Sequence, residues 1–259
     1  MGQPLAGRAP ALELAGVSKS FGPRVVLEDI DLLMPAGQVV ALLGPSGAGK
    51  TTLLRILTGA LAPDSGRVSV LGNDWRQLSP RRRRQLRQRV GLLYQNDALV
   101  PGLSALQNVL MGRLGAWSLA KSAVSLLWPL EKDRARAALR EVAMEERIDA
   151  RIGALSGGQR QRLLIARLLL QEPEIILADE PAASLDPRLG REALDLLVGV
   201  ARTHGKTLVV SLHDMNLVTD VFDRVLALRN GTWFWEGRPS ELHRERIAAI
   251  FAEDEREPQ

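Results

Sequence analysis

Short aliphatic runs bounded by turn residues alternate along this chain with stretches in which apolar residues return every third or fourth position. The runs predict strands and the periodic stretches helices, because side chains repeat every two residues on a strand and about every 3.6 on a helix. Leu12 to Val17 and Val25 to Leu33 read as strands of an opening antiparallel layer, with Phe21 between them. Pro35, Ala36 and Gly37 then turn the chain into the apolar run Val39 to Leu43. Leu53 to Leu57 reads as a helix, Pro63 to Gly66 as a turn, and Val68 to Leu71 as a short strand stopped by Gly72. Val90 to Tyr94 reads as a buried strand ending in Gln95.

From Asn96 to about Ala154 the period is helical, which predicts a helical insert in an α/β core. Beyond it come a helix through Gln161 to Leu170, a strand at Ile175 to Ala178, a helix at Arg188 to Arg202, and a strand at Thr207 to Leu212. A helix at Asn216 to Phe222 and a strand at Val225 to Leu228 follow. Gly231 and Gly237 frame a hairpin strand in which Trp233 and Trp235 share a face. The predicted organisation is a discontinuous core over residues 12–95 and 155–251, an insert over 96–154, and flexible ends at 1–11 and 252–259.

Between the run Val39 to Leu43 and its helix, Gly44, Pro45, Ser46, Gly47, Ala48, Gly49, Lys50 and Thr51 fit the pattern G-x-x-x-x-G-K-[ST]. Glycines there let backbone N–H groups turn inward around phosphate oxygens, and the helix N-terminus adds partial positive charge. Lys50 would reach the β and γ phosphates, Thr51 would hold magnesium, and Thr52 after it belongs to the same nucleotide-binding stretch. Only five of the 34 basic residues are lysine. That one of them stands at position 50 fits a backbone cradle sized for a compact ammonium and too tight for a guanidinium.

Further on, Leu155, Ser156, Gly157, Gly158 and Gln159 open a helix, Ser156 and Gln159 forming the pattern of a capping box. The apolar run Ile175 to Ala178 delivers the adjacent carboxylates Asp179 and Glu180 at its end.

Composition narrows the class. With 259 residues, 46% of them hydrophobic, the chain can bury a sizeable core. No apolar run has the length of a membrane span, and residues 1 to 10 lack the pattern of a signal peptide. Zero cysteines excludes disulfides and thiolate metal sites, in agreement with a cytoplasmic address. The net charge of +4 is mild, and the densest basic run, Arg81 to Arg84 with Arg87 and Arg89, reads as a solvated helix face, so no nucleic-acid partner is expected. Trp117, Leu119, Ala120, Val124, Leu127 and Trp128 form an apolar helical stripe that reads as packing inside the insert.

Taken together, these motifs resemble the ATP-binding subunit of ATP-binding-cassette (ABC) transporters, from Leu12 to about Phe251. The resemblance implies a P-loop NTPase core, a mixed sheet with an antiparallel β layer, plus a helical subdomain. It implies that Phe21 stacks on adenine with Val26 packing on the same base, that Gly44 to Thr51 cradles phosphate, and that Gln95 touches magnesium and the attacking water. Asp179 would bind magnesium through its hydration shell. Glu180 would polarise the water attacking the γ phosphate, and His213 would contact that phosphate. Leu155 to Gln159 is similar to the family signature, and Ser184, Leu185 and Asp186 to the loop that crosses between two subunits.

By the same resemblance, Ser156, Gly157 and Gly158 would grip ATP bound by a second copy in a head-to-tail ATP-sandwich dimer. Leu99 to Pro101 with Asn108 to Leu114 is similar to elements of the phosphonate-importer branch. The expected function is thus an ATPase with magnesium, peripheral on the cytoplasmic face of the inner membrane. It would drive a polytopic permease and, indirectly, an external substrate-binding protein, importing phosphonate or a related oxyanion. The alternative is a soluble ABC-type ATPase on a non-transport assembly such as carbon–phosphorus bond-cleaving machinery.

Overall fold

The computed structural model describes residues 10–94, 99–118, 121, 124, 130–183, 185–218 and 220–252. Expectations for the chain ends 1–9 and 253–259, and for Gln95 to Ala98, Leu119, Ala120, Leu127, Trp128 and Ser184, lie outside the described residues. Two compact units divide the chain, one formed by Met1–Asp74 with Val209–Gln259 and the other by Trp75–Leu208.

The first unit opens with β1 (Leu12–Phe21), β2 (Arg24–Met34), β3 (Val39–Leu43), α1 (Lys50–Leu57), β4 (Ser65–Val70) and the two-residue β5 (Asn73–Asp74). The second contains α2 (Pro80–Gln88), β6 (Val90–Leu93), α3 (Ala105–Leu110), α4 (Lys132–Glu141), α5 (Gly157–Gln171), β7 (Ile175–Asp179) and α6 (Pro187–Thr203). The chain leaves it through β8 (Thr207–Leu212) and completes the first unit with β9 (Arg224–Arg229), β10 (Thr232–Gly237) and α7 (Arg244–Phe251).

Antiparallel strands ordered β2-β1-β4-β5 form the predicted opening layer. Leu12 faces Met34 at one end of the β1/β2 pair and Phe21 faces Arg24 at the other. One face of this layer is apolar, because Leu12, Leu14, Val17, Leu27, Ile30, Leu32 and Met34 are all buried. Helix α1 buries Leu53, Leu54, Ile56 and Leu57. Each such side chain removed from water contributes about 1.5–3 kcal/mol, so α1 is held by packing rather than by its own short length.

The same unit contains β10-β9-β3-β8 as successive strands of a second sheet. β3 is buried at all its positions and runs parallel to β9, which places Leu43 opposite Ala227. Asp223 fixes that register: its carboxylate accepts from the Val39 amide at 2.8 Å while its own amide donates to the Val39 carbonyl at 2.8 Å. Asn230 and Gly231, both at positive φ, close the β9/β10 hairpin as a two-residue turn. The alternation on β10 holds, with half-buried Trp233 and Trp235 flanking exposed Phe234. Trp233 Nε1 donates to the Asp31 carbonyl at 2.6 Å.

Among the described residues, one expected element does not form. In place of a helix over Asn216 to Phe222 there is a single 3-10 turn, Met215–Leu217, because Asp214 accepts from the Asn216 amide at 2.9 Å and Val218 leaves in an extended conformation. A local side-chain bond has displaced the helical one. Phe222 is buried instead as the lead-in to β9.

In the second unit β6 and β7 pair in parallel, Val90 opposite Ile175 and Leu93 opposite Ala178. Arg89 and Glu174 clamp the entry to both strands with bonds of 2.5 and 2.9 Å, and the guanidinium holds the Glu174 carboxyl below the usual glutamate range. Helices α3, α4 and α5 bury Leu106, Val109, Leu139, Leu163 and Ile165. Asn108, fully buried, shapes the turn before α3 by accepting from the Val100 amide at 2.8 Å and donating to the Ser104 carbonyl at 3.0 Å. Gly112 is small for a reason, since a Cβ there would lie 2.3 Å from the Arg167 carbonyl oxygen. Trp117 is buried as expected and donates to Glu131 at 3.1 Å, whereas Val124 is exposed.

Candidate functional site

In the first unit, β3 ends at Leu43 and α1 begins at Lys50, so residues 44–49 are a loop held at both ends by buried structure. Gly44, Gly47 and Gly49 all have positive φ. Space as well as dihedral demands glycine at two of them. A Cβ on Gly44 would lie 2.2 Å from the Leu228 carbonyl oxygen, and one on Gly49 would lie 2.7 Å from the Val26 carbonyl oxygen. The Ala48 amide bonds back to Pro45 at 3.2 Å, which curls the loop, and Ala48 itself is buried.

Lys50 is only 5% exposed, and its ammonium donates to the carbonyls of Gly44 at 2.7 Å and Pro45 at 3.1 Å. Its charge is thereby fixed at the loop rather than swinging in solvent. Gly49 caps α1 without a side chain, and no acidic residue occupies the first turn, so the positive end of that helix keeps its field for an external anion. Ser46, Gly47 and Thr51 are exposed around the loop, while Pro45 and Thr52 are half-buried.

Phe21 lies at the end of β1 rather than between strands and is 52% exposed, with the Lys19 ammonium 5.3 Å from its ring centre. Val26 is brought to the loop by its backbone, through the close approach of its carbonyl to Gly49. Sequence reasoning missed Arg24. Its guanidinium lies 3.5 Å from where a Cβ of Gly47 would stand, so a cation flanks the loop. Only the pairing of Phe21 with Arg24 across the turn could have signalled it. His213 occupies an exposed position directly after β8.

In the second unit, β7 is buried throughout and delivers Asp179, 6% exposed, and then half-buried Glu180. Glu180 has φ of +48°, a left-handed backbone that glutamate rarely adopts. Its carbonyl accepts from the Ala183 amide at 3.2 Å, closing the turn. Asp186 caps α6 by accepting from the Leu189 amide at 3.0 Å, with Pro187 as the first helical residue.

The predicted capping box is present at α5. Ser156 Oγ accepts from the Gln159 amide at 3.3 Å, and Gln159 Oε1 accepts from the Ser156 amide at 3.0 Å. Leu155 is buried below it, and a Cβ on Gly157 would lie 3.1 Å from a Leu185 methyl. The fold thus brings Ser156 to Gln159 together with the 185–189 segment, inside the same unit as Asp179 and Glu180. A helix N-terminus with exposed Ser156 and two glycine amides can receive an anion.

Thr51 and Asp179 are hard oxygen donors, the type magnesium takes. No group of three or more His, Cys, Asp or Glu among the described residues could hold a metal.

Residues 27–183 match the family model described as ABC transporter. The chain is 48% identical over 86% of its length to the phosphonates import ATP-binding protein PhnC of Anaeromyxobacter dehalogenans, of which it spans 44%. It is 43% identical to the phosphonates import ATP-binding protein PhnC 1 of Pseudomonas syringae pv. syringae, over 91% of this chain and 89% of that one. Among solved structures it is similar to a dimeric post-hydrolysis state of the ATP-binding cassette MJ0796 bound to ADP and phosphate. The TM-score is 0.72 with 31% identity, covering 88% of this chain and 98% of that one. With the phosphate loop, the buried strand carrying Asp179 and the capped helix at Ser156 all in place, the chain belongs to the ABC transporter family as one of its ATP-binding proteins.

Proposed function

We propose that this chain is the ATP-hydrolysing subunit of an importer for phosphonate or a related oxyanion. The observation that carries the reading is the loop at 44–51, where glycine geometry, a fixed lysine and an uncapped helix end converge on a phosphate site in a chain of this family. The relatives named for phosphonate import supply the cargo class.

In this reading Lys50 and the loop amides hold the β and γ phosphates, and Phe21 and Val26 receive the adenine. Magnesium, when bound, neutralises phosphate charge; Thr51 and Asp179 would hold it, and by the family resemblance Gln95 would touch it. Glu180 orients and polarises the attacking water, and His213 contacts the γ phosphate. Ser156, Gly157 and Gly158 grip the nucleotide of a second copy, with Asp186 at the crossing loop, so ATP joins two copies and hydrolysis releases them. Among the described residues no helix is long and apolar enough to cross a membrane. Attachment to the cytoplasmic face of the inner membrane would run through permease subunits, a short helix of which would be received near Gln95 to Gly115.

The test is to purify tagged Glu180→Gln from source-cell membranes with ATP present and identify its companions by mass spectrometry. Lys50→Ala, which should lose nucleotide affinity, is the negative control. A polytopic permease recovered with the first variant and not the second supports the importer. Recovery of soluble carbon–phosphorus bond-cleaving enzymes alone would replace it with the non-transport reading.

A further inference from the structure

We propose that the arginine-rich opening turn of α2, whose four consecutive cations encircle the helix end, docks this chain directly on anionic phospholipid headgroups, in addition to any contact through a permease. The proposal rests on the importer reading, which puts the chain beside a bilayer. Between Trp75 and Tyr94 there are seven arginines and no acidic residue. Glu174 neutralises Arg89. Arg81, Arg82, Arg83 and Arg84 are exposed and meet no carboxylate among the described residues.

Arg83 donates to the Trp75 carbonyl at 3.0 Å, and Arg84 to the carbonyls of Gly115 and Trp117 at 3.3 Å each. Carbonyl partners orient a guanidinium without cancelling its charge. The four cations also follow Pro80 in the opening turns of α2, where the helix dipole is positive and acidic residues are favoured. Folding alone does not favour that placement, and an external anion offsets it.

Arg84 and the Gln88 amide both bond the Gly115 carbonyl and so tie α2 to the turn carrying Leu114, which is 38% exposed. An exposed apolar side chain beside these cations can add a small apolar contribution to binding at a headgroup surface. Guanidinium groups suit phosphate oxygens through paired N–H donors. Nucleic acid offers the same phosphates, but membership of a transporter family favours the bilayer.

The experiment is cosedimentation of the full chain with vesicles of phosphatidylcholine and phosphatidylglycerol in equal parts, at physiological ionic strength. Pure phosphatidylcholine vesicles and a short DNA duplex are the comparisons. Each arginine near an anionic surface contributes roughly fivefold to partitioning, so Arg81→Gln with Arg82→Gln should weaken binding to mixed vesicles about twenty-five-fold. ATP turnover should stay unchanged, since neither residue belongs to the nucleotide machinery. Equal partitioning of the double variant, equal binding to neutral vesicles, or tighter binding to DNA would overturn the proposal. So would absent vesicle binding together with loss of permease copurification in the double variant, which would assign these arginines to a protein partner. Loss of turnover in the unaltered chain would instead strike the ATPase reading.

Discussion

Replacing Gly49 by alanine perturbs the phosphate loop at its tightest junction with β2. The added Cβ would lie 2.7 Å from the Val26 carbonyl oxygen and 2.8 Å from a Leu27 methyl, on a residue with φ of +106°. The left-handed dihedral costs an L-residue about 1–2 kcal/mol. Pushing the loop off β2 adds about 1–3 kcal/mol of overpacking strain. Reduced freedom of the unfolded chain returns about 0.5–1 kcal/mol. The net loss is therefore about 2–4 kcal/mol, a fall in Tm of roughly 5–15 °C for a chain of this size.

Gly22→Ala supplies the control, because φ there is +60° and nothing lies within 4 Å of the new Cβ. It bears the dihedral term alone, a net of about 1 kcal/mol or less. Thermal unfolding of the two variants separates contact from torsion, and titration with ATP reads the site. The Gly49 variant should lose at least about tenfold in ATP affinity, since one misaligned amide-to-phosphate bond is worth about 1.5–3 kcal/mol. Matching Tm values for the two variants, or unchanged affinity in the first, would refute the argument that β2 shapes the loop.

Ser156→Ala should lower stability by about 1 kcal/mol through loss of the N-cap, and should weaken ATP-driven dimerisation beyond that, read by sedimentation; Ser156→Thr, which keeps the cap, should restore most stability. Burial pushes the Glu131 carboxyl up, but the Trp117 N–H, Arg113, Lys121 and Arg134 outweigh it and leave its pKa below the ordinary value of 4.5. A lowered carboxyl pKa gives stability that is present above the unfolded value and lost as pH falls through the folded one. Trp117→Phe removes one donor, so the acid loss should begin at a higher pH and neutral stability should drop by about 1 kcal/mol. Identical acid midpoints by circular dichroism would count against this.

What was legible in the sequence was local. The passage from β3 through the loop into α1 is written in consecutive residues, as are the capping box at Ser156 and the apolar strand before Asp179. What was not legible depends on partners distant in sequence or on very short elements. Arg24 flanks the loop only because Phe21 and Arg24 pair across a turn, and Gly49 is forced by a carbonyl 23 residues earlier. β5 has two residues and no period to read. The missing helix after Asp214 had acceptable periodicity but lost to a single Asp side chain bonding the Asn216 amide. The roles of Gln95 and Ser184 rest on the family resemblance.

The left-handed backbone at Glu180 sets the role proposed for its carboxylate against heat resistance. Asparagine tolerates the dihedral better and would relax it by up to about 1 kcal/mol. A library selected only for surviving high temperature would therefore collect asparagine at 180, and with the proposed role of the carboxylate each such hit would bind ATP without turning it over. Thermostable variants of this chain are thus best sought with the 180 codon held fixed, leaving the strained residue as the signature of a working engine.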